Sequence, residues 1–349
     1  MMSFAFLPSR RVRVGWSALL LVAAAGAQQP VPPAPESPQP FDLGRADIRQ
    51  FIDTVVARDN LDRAAVEALL GSGVRQPRIL EAISRPAERV IPWWEYRARF
   101  ISEQRIREGA EFWAAHRERL EQVEAQTGVD PAYVVAIIGI ETFYGRITGN
   151  WRVIDALMTL GFDYPPRGEF FRSELEQFLL LARDEKVDAG TALGSYAGAL
   201  GAPQFMPSSY RRWALDGGGD GRRNLWGDWD DVIASVANYF RANGWQRGAP
   251  VLTEASAEPA AAALLDPKNL ALDATVGALR ERGIALAAGE LPDDTPAIAV
   301  PAELSDRVAV RVGFQNFQVI TRYNRSVRYA MAVHDLAQAV SARAFAVDG

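Results

Sequence analysis

The residue of this sequence best suited to proton transfer is Glu141, which lies near the end of an otherwise apolar run over residues 133–144. An apolar environment disfavours the charged form of a carboxyl group and raises its pKa. The negative end of a helix dipole opposes an anion there as well. A glutamic acid that stays protonated near neutral pH can act as a general acid. The pattern favours an enzyme, although many such glutamates simply end a helix at the surface.

A second candidate segment covers residues 194–210 and is rich in glycine and alanine. Small residues let a ligand approach the backbone closely. The polar side chains of this segment suit sugar hydroxyls and acetamides, and they are Ser195, Gln204, Ser208 and Ser209. The alternative is a Gly/Ala-packed turn between two helices.

A third candidate cluster lies near the C-terminus and combines aromatic and amide side chains: Asn316, Tyr323, Asn324 and Tyr329. Such residues suit a groove in which aromatic rings stack on pyranose faces while amides bond the sugar edges. An ordinary strand-to-helix junction is the alternative interpretation.

A glycine-rich segment that begins at Asp216 is similar to a calcium loop. Asp216 and Asp220 fit the first and fifth positions, Gly221 fits the sharp turn, and Arg222 could supply its carbonyl oxygen. Gly218 offers no side-chain ligand, and glycine also stands where the bidentate glutamate is expected. Three acids could close the shell instead, namely Asp228, Asp230 and Asp231. A plain glycine-rich turn capped by aspartates is the other interpretation.

Composition excludes several classes of site. The chain has no cysteine, which rules out disulfides, thiolate zinc sites, a cysteine nucleophile and a lipidated cysteine anchor. It has two histidines, His116 and His334, so a catalytic triad or a histidine-rich metal site has little support. The formal charge of −5 gives no indication of a nucleic-acid partner.

The first residues are typical of an export signal. Arg10, Arg11 and Arg13 precede an apolar stretch, and small residues up to Ala27 form a cleavage site. An uncleaved anchor is the alternative. No later stretch has the length and apolarity of a membrane helix, so we expect a soluble mature protein in the periplasm.

The candidate residues need helices to position them. Asp130 is placed to cap, and Pro131 to open, the helix that carries Glu141. We also predict helices over residues 103–126, 170–183 and 326–345, a cap at Asp230 or Asp231, a tryptophan-rich turn at 92–96, and strands at 297–300, 308–314 and 317–321. The predicted regions are an export signal (1–27), a Pro-rich linker (28–40), an N-terminal helical domain (41–129), a helical core (130–247), a small β-containing insert (248–315) and a return to the core with a C-terminal helix (316–349).

The four candidate segments, in this order, resemble the lytic murein transglycosylase B family from about Asp47 to the C-terminus. The most specific motifs cover residues 139–146, 194–210, 224–226 with 235–240, and 319–324. The resemblance implies a mainly α (α+β) fold, in which a lysozyme-like helical core carries the N-terminal helical domain and the small β-containing insert.

The same resemblance implies cleavage of the β-1,4 bond between N-acetylmuramic acid and N-acetylglucosamine of peptidoglycan, without water, to leave a 1,6-anhydro ring. Glu141 matches the family's single acid and base, and Ser195 and Gln204 match residues that hold the muramoyl acetamide and nearby groups. Arg167 matches a basic residue that faces the glycan or its peptide, whereas Pro166 replaces a second arginine common in the family. The matching groove residues are Tyr96, Phe205, Tyr239, Tyr323, Asn324 and Tyr329.

Peptidoglycan strands are therefore the expected partner, and proteins of cell-wall synthesis or division could recruit a monomeric enzyme. The chemistry requires no cofactor, and a structural Ca²⁺ is left open at Asp216, Asp220, Arg222 and Asp231. Members described as membrane-bound are mostly lipoproteins, which this cysteine-free chain cannot be. The alternatives are a hydrolytic muramidase, which needs a second acid, and a non-catalytic peptidoglycan-binding module. The candidate segments contain no obvious second acid, and sequence places neither Asp163 nor Asp188 opposite Glu141.

Overall fold

Helices make up most of the chain in the computed structural model, which describes residues 37–84, 91–287 and 291–346. The predicted export signal and most of the predicted Pro-rich linker lie outside the described residues. In the part of the chain that is described, no helix has the length and apolarity needed to cross a membrane.

The N-terminal part consists of short helices with two small strands. The predicted helical stretch over 103–126 is confirmed, with one interruption at His116 (φ −120°, ψ 23°). The predicted tryptophan-rich turn is wrong, because this segment begins a helix after Pro92. The elements are β1 (Gln39–Pro40), α1 (Ala46–Asp59), α2 (Arg63–Gly71), β2 (Val74–Arg75), α3 (Pro77–Ser84), α4 (Trp93–Phe100), α5 (Glu103–Ala115) and α6 (Arg117–Thr127).

The central helix is α7 (Pro131–Thr142), and it begins as predicted. The Asp130 side chain accepts a hydrogen bond from the Ala132 amide at 2.8 Å, and Pro131 occupies the first turn, where no amide donor is needed. A helix that is apolar on all sides must be buried on all sides. Every residue of α7 except Glu141 is buried, and the helix packs among α5, α6 and two later helices.

The remainder of the helical core surrounds α7. Asp228 caps α11, because its carboxylate accepts the amides of Asp230 and Asp231. The predicted cap at Asp230 or Asp231 is therefore wrong, and both residues lie in the first turn. The elements are β3 (Trp151–Arg152), α8 (Val153–Asp163), a 3₁₀ turn (Pro165–Arg167), α9 (Gly168–Glu185), β4 (Leu193–Gly194), α10 (Pro207–Trp213) and α11 (Trp229–Ala242).

A curled antiparallel sheet follows, with strand order β6-β8-β9-β5-β7. Along β8, Ile298 and Val300 face the main core, whereas Ala297 and Ala299 face a second apolar cluster. Successive strand residues point to opposite faces, so β8 is buried on both sides. The elements are β5 (Leu252–Ala257), α12 (Pro259–Ala262), β6 (Ala274–Thr275), α13 (Val276–Glu281), β7 (Ile284–Leu286), β8 (Pro296–Glu303) and β9 (Val308–Gly313).

The chain returns to the core through α14 (Gln315–Tyr323) and α15 (Val327–Ala346). The predicted strand over 317–321 is wrong, because Phe317, Ile320 and Thr321 are buried together at helical spacing. Helix α15 packs against α7 and α5 and buries a stripe formed by Tyr329, Val333, Leu336 and Val340. A mainly α chain with a small β-containing part is confirmed. One hydrophobic core includes residues from Phe41 to Ala344.

Candidate active site

Glu141 lies near the C-terminal end of α7, where the chain turns sharply. Phe143 and Tyr144 have φ values of 52° and 58°, in the left-handed region, which costs free energy for residues with bulky side chains. The amides of Phe143 and Tyr144 donate to Gly139 O and Ile138 O and so close the helix. Position 139 must be small, because a Cβ there would lie 2.6 Å from the Tyr144 hydroxyl oxygen. This turn ends the helix just beyond Glu141.

The carboxyl group of Glu141 has one hydrogen-bond donor within the described residues. The Tyr329 hydroxyl donates to its Oε1 at 2.5 Å. Burial raises the pKa of Glu141 to about 7, and the bond from Tyr329 opposes that rise. The direction agrees with the prediction from the apolar run. At neutral pH the group is therefore divided between its protonated and charged forms.

Three tyrosines from three helices surround this carboxyl group: Tyr96 of α4, Tyr323 of α14 and Tyr329 of α15. Burial raises the pKa of each hydroxyl, and the negative charge of Glu141 raises it further. The hydroxyls are neutral donors at physiological pH as a result. The structure thus brings together side chains that lie far apart in sequence around one partly buried acid.

An aromatic wall, formed by Phe205, Tyr239 and Tyr323, continues from this cluster. The ring of Tyr323 lies 4.8 Å from that of Tyr239 and 5.8 Å from that of Phe205, centroid to centroid. The hydroxyl of Tyr323 donates to Pro203 O at 2.6 Å, and that of Tyr239 donates to Arg322 O at 2.7 Å. These bonds fix the rings, and burial raises the pKa of Tyr239 to about 12.

The small-residue loop over residues 194–205 is tied directly to the end of α7. Thr142, next to Glu141, donates from its hydroxyl to Ala202 O at 2.8 Å. Gln204 has φ 53°, and its side-chain amide donates to Thr148 O at 3.0 Å and Gly201 O at 2.9 Å. Its side-chain oxygen accepts no bond from the described residues. The loop is therefore held against α7, and the side-chain oxygen of Gln204 can still accept a hydrogen bond from a ligand.

Ser195 stands at the start of this loop, next to the pair of β3 and β4. Its Oγ accepts the amides of Ala197 at 3.3 Å and Ala199 at 3.0 Å. A hydroxyl that accepts two bonds still has its own hydrogen to donate. The preceding turn passes so close that a Cβ on Gly149 would lie 2.0 Å from Gly194 O. The hydroxyl of Ser195 is thus fixed in position by backbone contacts.

Other predicted residues lie outside this cluster. Arg167 is exposed and stacks on Phe170 at 4.4 Å, and no described contact links it to Glu141. Asn324 is exposed at the end of α14, between Tyr323 and Tyr329 in sequence. The structure corrects the prediction that Ser208 and Asn316 bind a ligand, because both side chains bond within the protein. Ser208 donates to Glu174 at 2.6 Å, and the buried Asn316 bonds the backbone of Gln246.

A second catalytic carboxylate is missing from the surroundings of Glu141 in the described parts of the chain. Asp163 is paired with Arg45 at 2.7 Å and Arg75 at 2.9 Å. Asp188 accepts the hydroxyl of Thr191 at 2.8 Å within its own turn. No carboxylate charge contributes to the pKa shift of Glu141. The two acids considered from sequence thus have structural roles elsewhere.

In the predicted calcium loop, the carboxylates accept hydrogen bonds from backbone amides. Asp216 accepts the amides of Gly219 at 2.6 Å and Gly221 at 2.8 Å, and Asp220 accepts that of Arg222 at 2.8 Å. Asp231 accepts Gly217 at 2.6 Å and Asn224 at 2.6 Å. Within the described residues, no three His, Cys, Asp or Glu side chains converge on a point where a metal ion could bind. Those amide bonds leave lone pairs on the same carboxylates, so a structural Ca²⁺ at this loop stays a prediction.

Sequence reasoning missed the residues that hold the Glu141 turn. The guanidinium of Arg105 lies over the ring of Phe143 at 4.6 Å, and its backbone oxygen accepts the Tyr144 hydroxyl at 3.0 Å. Thr142 joins the turn to the loop, as described above. Aromatic residues directly after a helix-ending acid are a local signal for such a turn, but nothing local indicates the partner on α5.

Comparison with known proteins adds independent findings. A family model described as the transglycosylase SLT domain matches residues 44–338. The membrane-bound lytic murein transglycosylase B of Escherichia coli (strain K12) is 40% identical over 308 residues, which cover 84% of this chain and 82% of that protein.

Two solved structures are similar over most of this chain. The soluble lytic transglycosylase SltB1 from Pseudomonas aeruginosa gives a TM-score of 0.80 at 45% identity, covering 85% of this chain and 99% of that one. The Escherichia coli lytic transglycosylase Slt35 in complex with calcium gives 0.80 at 37% identity, covering 88% and 96%. The resemblance predicted from the sequence motifs is confirmed.

Proposed function

The chain belongs to the transglycosylase SLT domain family, and on that basis we propose that it is a lytic transglycosylase with Glu141 as its acid and base. The substrate is the β-1,4 bond between N-acetylmuramic acid and N-acetylglucosamine of peptidoglycan. The observation that carries the proposal is the carboxyl group of Glu141, with a pKa of about 7 and Tyr329 as its donor. A group with that pKa can give and retrieve a proton at neutral pH.

In the first step, protonated Glu141 donates its proton to the leaving 4-oxygen. The carbonyl oxygen of the substrate's own 2-acetamido group attacks the anomeric carbon as the glycosidic bond breaks, which gives a cyclic oxazolinium. Tyr329 stabilises the carboxylate that Glu141 becomes, because a hydrogen bond to a charged acceptor is stronger than one to a neutral acceptor.

In the second step, the Glu141 carboxylate removes the proton from the 6-hydroxyl of the same sugar. The 6-oxygen attacks the anomeric carbon, the oxazolinium bond to that carbon breaks, and the acetamide is restored. The product carries a 1,6-anhydro ring, and Glu141 is protonated again. No water is consumed, and one carboxyl group serves both steps.

The surrounding residues have supporting roles in this proposal. Ser195 donates its free hydrogen to the acetamide, and Gln204 offers its side-chain oxygen to the same region. The aromatic wall and Tyr96 pack on the sugar faces and keep water out, which favours the intramolecular attack. Asn324 and Arg167 bond more distant parts of the strand. Because its substrate lies in the cell wall, we place the enzyme in the periplasm, as a monomer.

Product analysis tests the proposal directly. Purified sacculi are digested with the enzyme, and the released muropeptides are analysed by mass spectrometry. We expect 1,6-anhydro ends. Reducing ends heavier by one water would establish a hydrolytic muramidase instead, and binding to sacculi without release would establish a non-catalytic module.

A further inference from the structure

A groove adjoins the aromatic wall, with which it shares Tyr239. It is formed by the ends of α11 and α14 and by the segment before β6, and its volume is about 480 Å³. Tyr239 belongs both to the aromatic wall and to the lining of the groove. Arg322 of the lining directly precedes Tyr323, which contacts Tyr239 and lies near Glu141, so the groove is close to the Glu141 site.

Two cations line this groove. Arg322 and Arg325 are exposed, and neither forms an ion pair within the described residues. Most other arginines of the described residues form ion pairs, such as Arg311 with Asp335 at 2.8 Å and Arg328 with Glu303 at 3.2 Å. No carboxylate is among the described residues that line the groove. Two unpaired guanidinium groups on one groove favour an anionic ligand.

The rest of the lining suits a peptide. Asn243 and Gln318 bring side-chain amides, whereas Leu270 and Ala271 add a small apolar surface. The Gln318 amide donates to Leu270 O at 3.3 Å and so fixes the segment to α14. Carboxylates, peptide groups and methyl side chains are the groups that such a lining recognises. A sugar ring alone would leave both cations without a partner.

We propose that Arg322 and Arg325 bind carboxylates of the acidic stem peptide that peptidoglycan carries next to the scissile bond. The inference rests on the proposed function, because the stem leaves the muramoyl sugar through its lactyl ether. A muramoyl ring held near Glu141 lies against the aromatic wall, and the groove shares Tyr239 with that wall. Arg322 and Arg325 are thus specificity residues for stem-bearing strands, and the chemical step belongs to Glu141.

The test compares two substrates that differ only in charge. One is a set of glycan strands with their native stems, and the other is the same strands after the stem carboxylates have been amidated with carbodiimide and ammonia. Initial rates are measured for the full-length enzyme, for the double variant Arg322→Gln/Arg325→Gln and for Arg78→Gln. Arg78 is an exposed arginine of α3 without an ion pair in the described residues, and it serves as the control.

We expect kcat/KM of the double variant on native strands to fall roughly three- to tenfold, since two exposed ion pairs are lost. Amidation should lower the wild-type value by the same factor and leave the double variant unchanged. Arg78→Gln should behave as the wild type on both substrates. Higher salt should reduce the difference between wild type and double variant, because it screens exposed charges.

Two results would overturn the proposal while leaving the proposed function intact. One is an equal loss on native and amidated strands, which would mean that the arginines act on the sugar or on the fold. The other is no loss on either substrate. Melting temperatures of the variants identify a folding defect. A wild-type enzyme that releases no 1,6-anhydro product contradicts the proposed function instead.

Discussion

Glu141 and Asp216 are both acids of this chain, and their pKa values are shifted in opposite directions. Glu141 is enclosed by the apolar end of α7 and receives one hydroxyl donor, so burial raises its pKa to about 7. Asp216 is exposed and accepts three backbone amides, and those bonds lower its pKa below 3.8. The number of donors and the loss of water decide which form each group adopts.

The difference separates two uses of a carboxyl group. In the glycine-rich loop the carboxylates accept backbone amides, which favour the charged form: Gly219 and Gly221 donate to Asp216, and Gly217 and Gly218 donate to Asp231. A carboxyl group that acts as both acid and base must populate its protonated and its charged form near neutral pH. Fewer hydrogen-bond donors and less contact with water raise its pKa into that range. The Glu141 site meets that condition by surrounding the group with rings and small residues.

The largest expected effect comes from Glu141→Gln, which keeps the shape of the side chain and removes its proton. General acid–base catalysis of this kind contributes about 10²–10⁴ in rate. We therefore expect release of anhydro-muropeptides from sacculi to fall by about that factor, with sacculus binding retained. Glu176→Gln is the control, because Glu176 is also buried but pairs with Arg58. If Glu141→Gln retains turnover near the wild-type value, another acid does the chemistry.

The same substitution should stabilise the fold at alkaline pH. The folded-state pKa of Glu141 is about 7 against 4.5 for the free group, so the native state loses stability as the pH rises between these values. Glutamine carries no charge and avoids that loss. Above about pH 7 we expect the free energy of unfolding in urea to be higher for Glu141→Gln than for wild type, by about 1–3 kcal/mol. Near about pH 4 the two values should be equal. A variant that is less stable at both values would contradict the burial argument.

Much of this arrangement could be predicted from local sequence. The Asp130–Pro131 start of α7, its burial and the raised pKa of Glu141 follow from cap chemistry and an unbroken apolar run. The predicted strand over 317–321 was wrong because short apolar alternation does not distinguish a strand from a buried helix. Phe317 and Ile320 pack as one helical face against the core.

Tertiary partners are harder to predict than elements. The Tyr329 bond to Glu141 joins helices that are far apart in sequence, and the same applies to Tyr323 with Pro203. Only the resemblance to a family predicted that these tyrosines belong to the same site, because local sequence does not indicate their contacts. Asn316 and Ser208 were predicted from sequence as possible ligand-binding residues, but their side chains bond within the protein. Asn316 bonds the backbone of Gln246, and Ser208 donates to the buried Glu174.

The next effect concerns the position of the pH profile. In wild type, kcat/KM should fall as the pH rises through about 7, because the proposed first step requires protonated Glu141. The Tyr329 bond favours the charged form, so Tyr329→Phe should move this alkaline limb to higher pH, by about one unit. Tyr164→Phe, on a partly buried tyrosine of the turn after α8, should leave the limb in place. A shift to lower pH would mean that Tyr329 stabilises the protonated acid.

The smallest effect, and opposite in sign to that of Glu141→Gln, belongs to Asp216→Asn. Because the folded-state pKa of Asp216 is lowered, its contribution to stability is present above about pH 4 and is lost as the pH falls through the folded value. We expect Asp216→Asn to lower the melting temperature slightly at neutral pH and to match wild type in acid. The two amide variants should therefore diverge from wild type in opposite directions as the pH rises.

Calcium provides the second readout of the Asp216 variant. The carboxylates of Asp216 and Asp231 accept backbone amides, and no three acidic side chains of the described residues converge on one point, so we expect Ca²⁺ to require a rearrangement of the loop and to bind weakly. We expect micromolar Ca²⁺ to leave the melting temperature and the turnover of the wild type unchanged relative to a chelator. A large stabilisation that Asp216→Asn abolishes would show that the loop rearranges around the ion, and that its exposed carboxylates are ligands despite their amide bonds.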